Sequence, residues 1–117
     1  MKRTYTLFLK DILEAMEKIE QFTGETSFDE FVQDDMRASA VVRKLEIIGE
    51  AAKNIPSAVR RRYPDVPWSS MARMRDRLTH GYWAVDYEIV WKVIRAELPA
   101  LKPRIQEIYR KELKHDG

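Results

Sequence analysis

The stretch VVRKLEIIGEAAKNIP, Val41 to Pro56, decides the architecture. Val41, Leu45, Ile48, Ala52 and Ile55 recur at intervals of three and four, which places them on one face of an α-helix. The rhythm predicts a helix from about Asp35 to Asn54, stopped by Pro56, which brings no amide proton and crowds the turn before it. Gly49 lies inside this pattern. A mid-helix glycine costs about 1 kcal/mol relative to alanine. Either another backbone approaches closely there, or the glycine is tolerated without consequence.

Toward the N-terminus, Tyr5, Phe8, Leu9, Ile12, Met16 and Ile19 keep the same spacing and predict a helix from about Thr4 to Gln21, ended by Gly24. Ser27 followed by Glu30 has the form of a capping box for a short helical turn through Phe28 and Phe31. Toward the C-terminus, YPDVPWSS, Tyr63 to Ser70, is a connection in which Pro67 sets φ where a helix can start. A helix is predicted from Pro67 or Trp68 to His80, with Gly81 as its left-handed cap. Asp86 is a good N-cap for the last region, where Val90, Val93, Ile94, Leu98, Leu101, Ile105 and Ile108 carry a helical stripe to about Leu113. Pro99 should kink or briefly break that stripe. No segment alternates with period two, and no internal repeat or low-complexity tract is present. The expected fold class is all-α, an up-and-down bundle of four to five helices with short links, in one domain spanning residues 1–117.

Composition sets the outer limits. Hydrophobic residues are 44% and charged residues 34% of the 117, which suits a helical protein with charged outer faces and not a disordered chain. With no cysteine there are no disulfides, thiolate metal sites or cysteine nucleophiles, which fits a reducing cytoplasm. The segment MKRTYTLFLKDILEAMEKIE begins with basic residues, but Lys10, Asp11, Glu14 and Glu17 interrupt its apolar ones, so a signal peptide is not expected. No run approaches the roughly 18 apolar residues of a membrane span. A cytoplasmic location without membrane contact is expected.

The net charge of +2 conceals an asymmetry. Residues 11–35 carry nine acidic residues against Lys18, a net of −8, whereas residues 60–77 carry six arginines against Asp65 and Asp76, a net of +4. This pattern fits a surface that faces a polyanion, and fits equally two solvated helix faces of opposite sign packed side by side. The basic segment runs into RDRLTHGYW, Arg75 to Trp83, which holds one of the two histidines. Five residues turn a helix by roughly 140°. Arg75 and His80 can therefore converge only near a helix end, which Gly81 would supply. Histidine as a residue type exchanges protons near neutral pH. Arginine stays charged and offers a planar fork that matches phosphate oxygens. Together they suit metal-independent RNA cleavage, in which the ribose 2′-hydroxyl attacks phosphorus, a base takes its proton and a cation stabilises the phosphoryl charge. On chemistry alone, a histidine at a helix end is more often a cap than a catalyst. His115, in the tail LKHDG, has no partner at metal-ligand spacing and reads as a frayed end.

Arg75, four residues, His80, Gly81 and Tyr82 reproduce the R-x4-H-x-Y motif of the HepT-like toxins, a branch of the HEPN superfamily of helical ribonucleases. Three specified positions are a weak signal by themselves. The resemblance extends through YTLFLKDILEAMEKIE, SFDEF, VVRKLEIIGEAAKNIP, YPDVPW and RLTHGYWAVDYEIVWKVI, covering nearly the whole chain. It implies a HEPN bundle that forms a homodimer, with two motif copies facing one cleft and cleaving RNA without metal or other cofactor. Arg75 and His80 then match the catalytic pair, and Tyr82 matches the motif tyrosine. The resemblance also implies a partner encoded alongside, a minimal nucleotidyltransferase antitoxin that silences the toxin by transferring AMP to that tyrosine, as in type VII-like toxin–antitoxin systems.

Asp76 and Arg77, inside the motif, are candidate tuning residues. Asp76 stands where many HEPN proteins have asparagine. A carboxylate there can pair with Arg75, orient His80 and repel RNA, or it can be an ordinary solvated helix residue. A different class of function is also open: a non-catalytic helical subunit that binds a nucleotidyltransferase through the acidic face of Asp11, Glu14 and Glu17. Trp68, Trp83 and Trp91 surround the motif and suit either an interface or the core.

Overall fold

The computed structural model describes residues 4–81 and 84–116; Tyr82 and Trp83 of the motif lie outside the described residues. Helix α3, Asp35–Lys53, packs against the helices before it in the chain and those that lead into the motif. Asp34 fixes its start by accepting a hydrogen bond from the Arg37 amide at 3.0 Å, the usual N-cap device. Its other end is closed from outside. Arg60, on the short helix α4 (Ser57–Arg62), donates to the carbonyl oxygens of Ala52, Lys53 and Ile55 at 2.8, 3.0 and 3.0 Å. Ala52 and Lys53 lie in the last turn of α3, whose carbonyls lack the usual intrahelical donors, and Ile55 lies just beyond it.

Helix α1, Tyr5–Thr23, packs on α3, and Gly24 ends it at φ +46°. The predicted capping box is present: the Ser27 hydroxyl accepts from the Glu30 amide at 3.1 Å, and the Glu30 carboxylate accepts from the Ser27 amide at 3.0 Å. It opens α2, Phe28–Gln33, whose Phe31 is fully buried against the rings of Tyr87 and Trp91. Next come α5 (Trp68–Ala72) and α6 (Met74–Leu78), separated only by Arg73. Two-residue strands β1 (Thr79–His80) and β2 (Ala84–Val85) follow, then α7 (Tyr87–Lys92) and α8 (Leu98–Asp116).

Cross-helix pairs give the directions. Tyr5 bonds Glu112 while Glu20 pairs with Lys102, so α1 and α8 run antiparallel. Gly49 lies against the α5–α6 turn and Glu46 faces Arg75, so α3 and α5–α6 also run antiparallel. The architecture is all-α, with one contiguous apolar core drawn from every long helix. Leu9, Ile12, Met16 and Ile19 meet Val41, Leu45, Ile48, Met74, Leu78, Val90, Val93, Ile105 and Ile108 there, each at most 1% exposed.

Gly49 resolves in favour of close approach. An alanine Cβ at this position would stand 3.0 Å from the Met71 carbonyl oxygen and 3.1 Å from the Met74 Cβ.

Two local expectations need correction. The helix expected from Pro67 or Trp68 to His80 is interrupted at Arg73 and ends at Leu78, because Thr79 and His80 pair with Val85 and Ala84 instead of continuing the helical ladder. Gly81, at φ +69°, therefore serves the turn of this hairpin and not a helix cap. The brief break expected at Pro99 is present: Val93–Glu97 winds as a π-helix between α7 and α8, with the Leu98 amide bonded to the Val93 carbonyl. Pro99 is exposed. His115, expected on a frayed end, is exposed within the last turn of α8.

Candidate active site

Met74 and Leu78 are each 1% exposed and anchor α6 in the core. Side chains between these anchors are rotated outward, and their fates differ. Arg75 is 80% exposed, with its Nε 3.9 Å from a Glu46 carboxylate oxygen on α3. A pair that long and that solvated holds the guanidinium only weakly. Arg77 is spent on structure: its Nη2 donates to both carboxylate oxygens of Glu97 at 2.8 and 2.9 Å, tying α6 to the π segment. Asp76 is exposed and, among the described residues, bonds neither Arg75 nor His80.

The hairpin decides where His80 points. Thr79 pairs with Val85 and His80 with Ala84, and the Asp86 amide donates to the Leu78 carbonyl at 2.7 Å. The Thr79 hydroxyl donates to the Arg75 carbonyl at 3.1 Å, closing the end of α6. On this frame the imidazole is 71% exposed, and its Nε2 lies 2.8 Å from Asp86 Oδ2. The other Asp86 oxygen accepts from the Ile89 amide at 3.1 Å and caps α7, as expected of an N-cap. The hydrogen bond from His80, followed by that from Ile89, holds the Asp86 carboxyl below the usual carboxylate range.

Arg75 and His80 thus share the exposed end of α6 without touching among the described residues. Arg75 leans toward α3 and His80 toward α7. The convergence expected at a Gly81 helix cap is replaced by two side chains presented separately. Asp86 is the residue that sequence reasoning missed here. It was read as a helix cap, which is true, but the spacing of His80 and Asp86 signals a contact only once the hairpin is known.

The basic segment is less free than its charge suggests. Arg60 closes α3, Arg77 holds Glu97, and Arg62 holds the fully buried Glu112. Arg61, Arg73 and Arg75 stay exposed. Among the aromatics, Trp68 is buried and donates to the Tyr63 carbonyl at 3.0 Å, and Trp91 packs on Phe28 and Phe31, so both belong to the core side. No group of three or more metal-capable side chains occurs among the described residues. Among the same residues no helix is long and apolar enough to cross a membrane.

Comparison with known proteins gives the family. The family described as "Ribonuclease HepT-like" matches residues 12–108, a span that holds the helix end, the hairpin and α7. The chain belongs to the HepT-like ribonuclease family. A Thermococcus cleftensis protein named "Probable ribonuclease HepT" is 47% identical over 108 residues, covering 92% of this chain and 98% of that one. A Methanocaldococcus jannaschii protein named as a "Putative RNase" is 45% identical over 93% of this chain and 90% of its own length. Another so named, from Caldanaerobacter subterraneus, is 43% identical over 90% of this chain and 94% of its own. No solved structure matches.

Proposed function

We propose that this HepT-like chain is a toxin ribonuclease that cleaves RNA without a metal, with Arg75 and His80 as the reacting pair. The observation that carries the proposal is the family match across residues 12–108, a span that contains the whole R-x4-H-x-Y motif. The exposure of both side chains, Arg75 on α6 and His80 on the strand that follows it, supports it.

In this mechanism Arg75 receives the non-bridging phosphoryl oxygens in its planar fork and stabilises their charge as the transition state forms. The ribose 2′-oxygen bonds to phosphorus and gives its proton to His80. The bond from phosphorus to the 5′-oxygen breaks, and that oxygen takes up a proton. The products are a 2′,3′-cyclic phosphate and a 5′-hydroxyl. A homodimer with two motif copies at one cleft supplies a second His80 to protonate the leaving oxygen, which one histidine per chain cannot do in the same step.

The same reading extends to control. A partner nucleotidyltransferase antitoxin transfers AMP to Tyr82, and the added phosphate and nucleotide block the cleft and compete for Arg75. The cell compartment of this action is the cytoplasm. Purified, unmodified protein incubated with a synthetic RNA in EDTA tests the proposal. Cleavage that leaves 2′,3′-cyclic phosphate ends is expected. Activity that vanishes with EDTA and returns with a divalent cation contradicts it.

A further inference from the structure

We infer that Asp86 is a positioning residue that fixes which imidazole nitrogen His80 presents to RNA. The inference rests on the assignment of His80 to proton transfer. Asp86 is held at three points: its amide on the Leu78 carbonyl, one carboxylate oxygen on the Ile89 amide, and the other on His80 Nε2. Its side chain is 23% exposed, against 71% for the imidazole. The aspartate is therefore the fixed member of the pair, and the histidine is the presented one.

An ionised carboxylate only accepts hydrogen bonds. In the neutral imidazole the proton must then sit on Nε2, facing Asp86, which leaves Nδ1 bare as the nitrogen that can take a proton from a substrate. Once protonated, the ring is stabilised by the same carboxylate, the role the third member plays in nucleophile–histidine–carboxylate triads. Asp76, the other carboxylate of the motif region, is exposed and does not bond His80, so it does not compete for this role. A residue needed only to cap α7 has no use for the second contact, because capping occupies a single oxygen.

That difference supplies the test. Asp, Asn and Ser are comparable N-caps, so a cap-only role predicts that Asp86→Asn and Asp86→Ser behave like the parent. In Asp86→Asn the cap holds the amide oxygen toward Ile89 and turns the NH2 group to the ring, which forces the proton onto Nδ1. The full-length chain is labelled with 15N, and the imidazole signals of His80 are assigned by their loss in His80→Gln. The parent is expected to show the Nε2–H form, Asp86→Asn the Nδ1–H form, and Asp86→Ser a mixture. Cleavage by both variants is expected to fall about 10- to 100-fold in kcat, with KM within about twofold. Parental imidazole signals in Asp86→Asn, or a loss of kcat with the tautomer unchanged, would overturn the inference. The tautomer is read without substrate, so failure of the His80 assignment appears separately, as cleavage by His80→Gln at the parental rate.

Discussion

Glu112→Gln tests a fully buried charged group that three other side chains hold. Glu112 is 0% exposed, yet it receives the Tyr5 hydroxyl at 2.8 Å, the Tyr63 hydroxyl at 2.5 Å, and Arg62 through Nη2 at 2.5 Å and Nε at 3.4 Å. Burial pushes its carboxyl pKa up, but hydrogen bonds from Arg62, Tyr63 and Tyr5 outweigh burial and bring it from the ordinary 4.5 down to about 2. A carboxyl that binds its proton less tightly when folded stabilises the native state at pH above the unfolded value. The contribution disappears as pH falls from about 4.5 toward about 2. Its size at pH 7 is about 3 kcal/mol, or a lowering of Tm by roughly 10 °C on its removal. Urea unfolding of parent and variant from pH 7 down to pH 2 measures it. Glu30, Asp65, Asp86 and Glu107 are also held low but titrate in both proteins, so they cancel in the difference. The gap is expected to be widest at neutral pH and to close in acid. Two parallel stability profiles would refute the claim that an ionised Glu112 holds α8 to α1 and α4.

Gly49→Ala gains about 1 kcal/mol of helix propensity but forces its Cβ against the Met71 carbonyl at 3.0 Å and the Met74 Cβ at 3.1 Å. Overpacking of this kind costs about 1–3 kcal/mol, so urea unfolding should show no gain and up to about 2 kcal/mol of loss. Higher stability in the variant would mean that the helices do not meet at Gly49. Intact-mass analysis after co-expression with a neighbouring nucleotidyltransferase gene should show added AMP groups, absent in Tyr82→Phe; a variant that keeps the label excludes Tyr82 as the acceptor.

The long helices were legible because their signal is local. The three-and-four spacing in Val41–Ile55 and Tyr5–Ile19, the Ser27–Glu30 box and the Asp86 cap all depend on residues within one or two turns. Gly49 was legible as a question, since only the opposing helix could say whether its missing side chain mattered. The end of α6 was not. Helical continuity through His80 was the local expectation, and it lost to the strand pairing of Thr79 and His80 with Val85 and Ala84 across the turn. Arg62 and Glu112, fifty residues apart, leave no periodic trace of their pairing. The six arginines of residues 60–77 look alike in sequence, yet Arg60, Arg62 and Arg77 are consumed by carbonyls and buried or half-buried carboxylates, which composition cannot reveal. In the candidate site, residue identities came from the motif, while the partner of His80 came only from the fold.

The most direct test of the account is cleavage of a synthetic RNA in EDTA by His80→Ala beside the parent, with folding matched by circular dichroism. His80 is exposed and its side chain bonds only Asp86 among the described residues, so the variant should fold. Cleavage should fall by at least about 100-fold. Cleavage at the parental rate would contradict the assignment of His80 as the proton-transferring group.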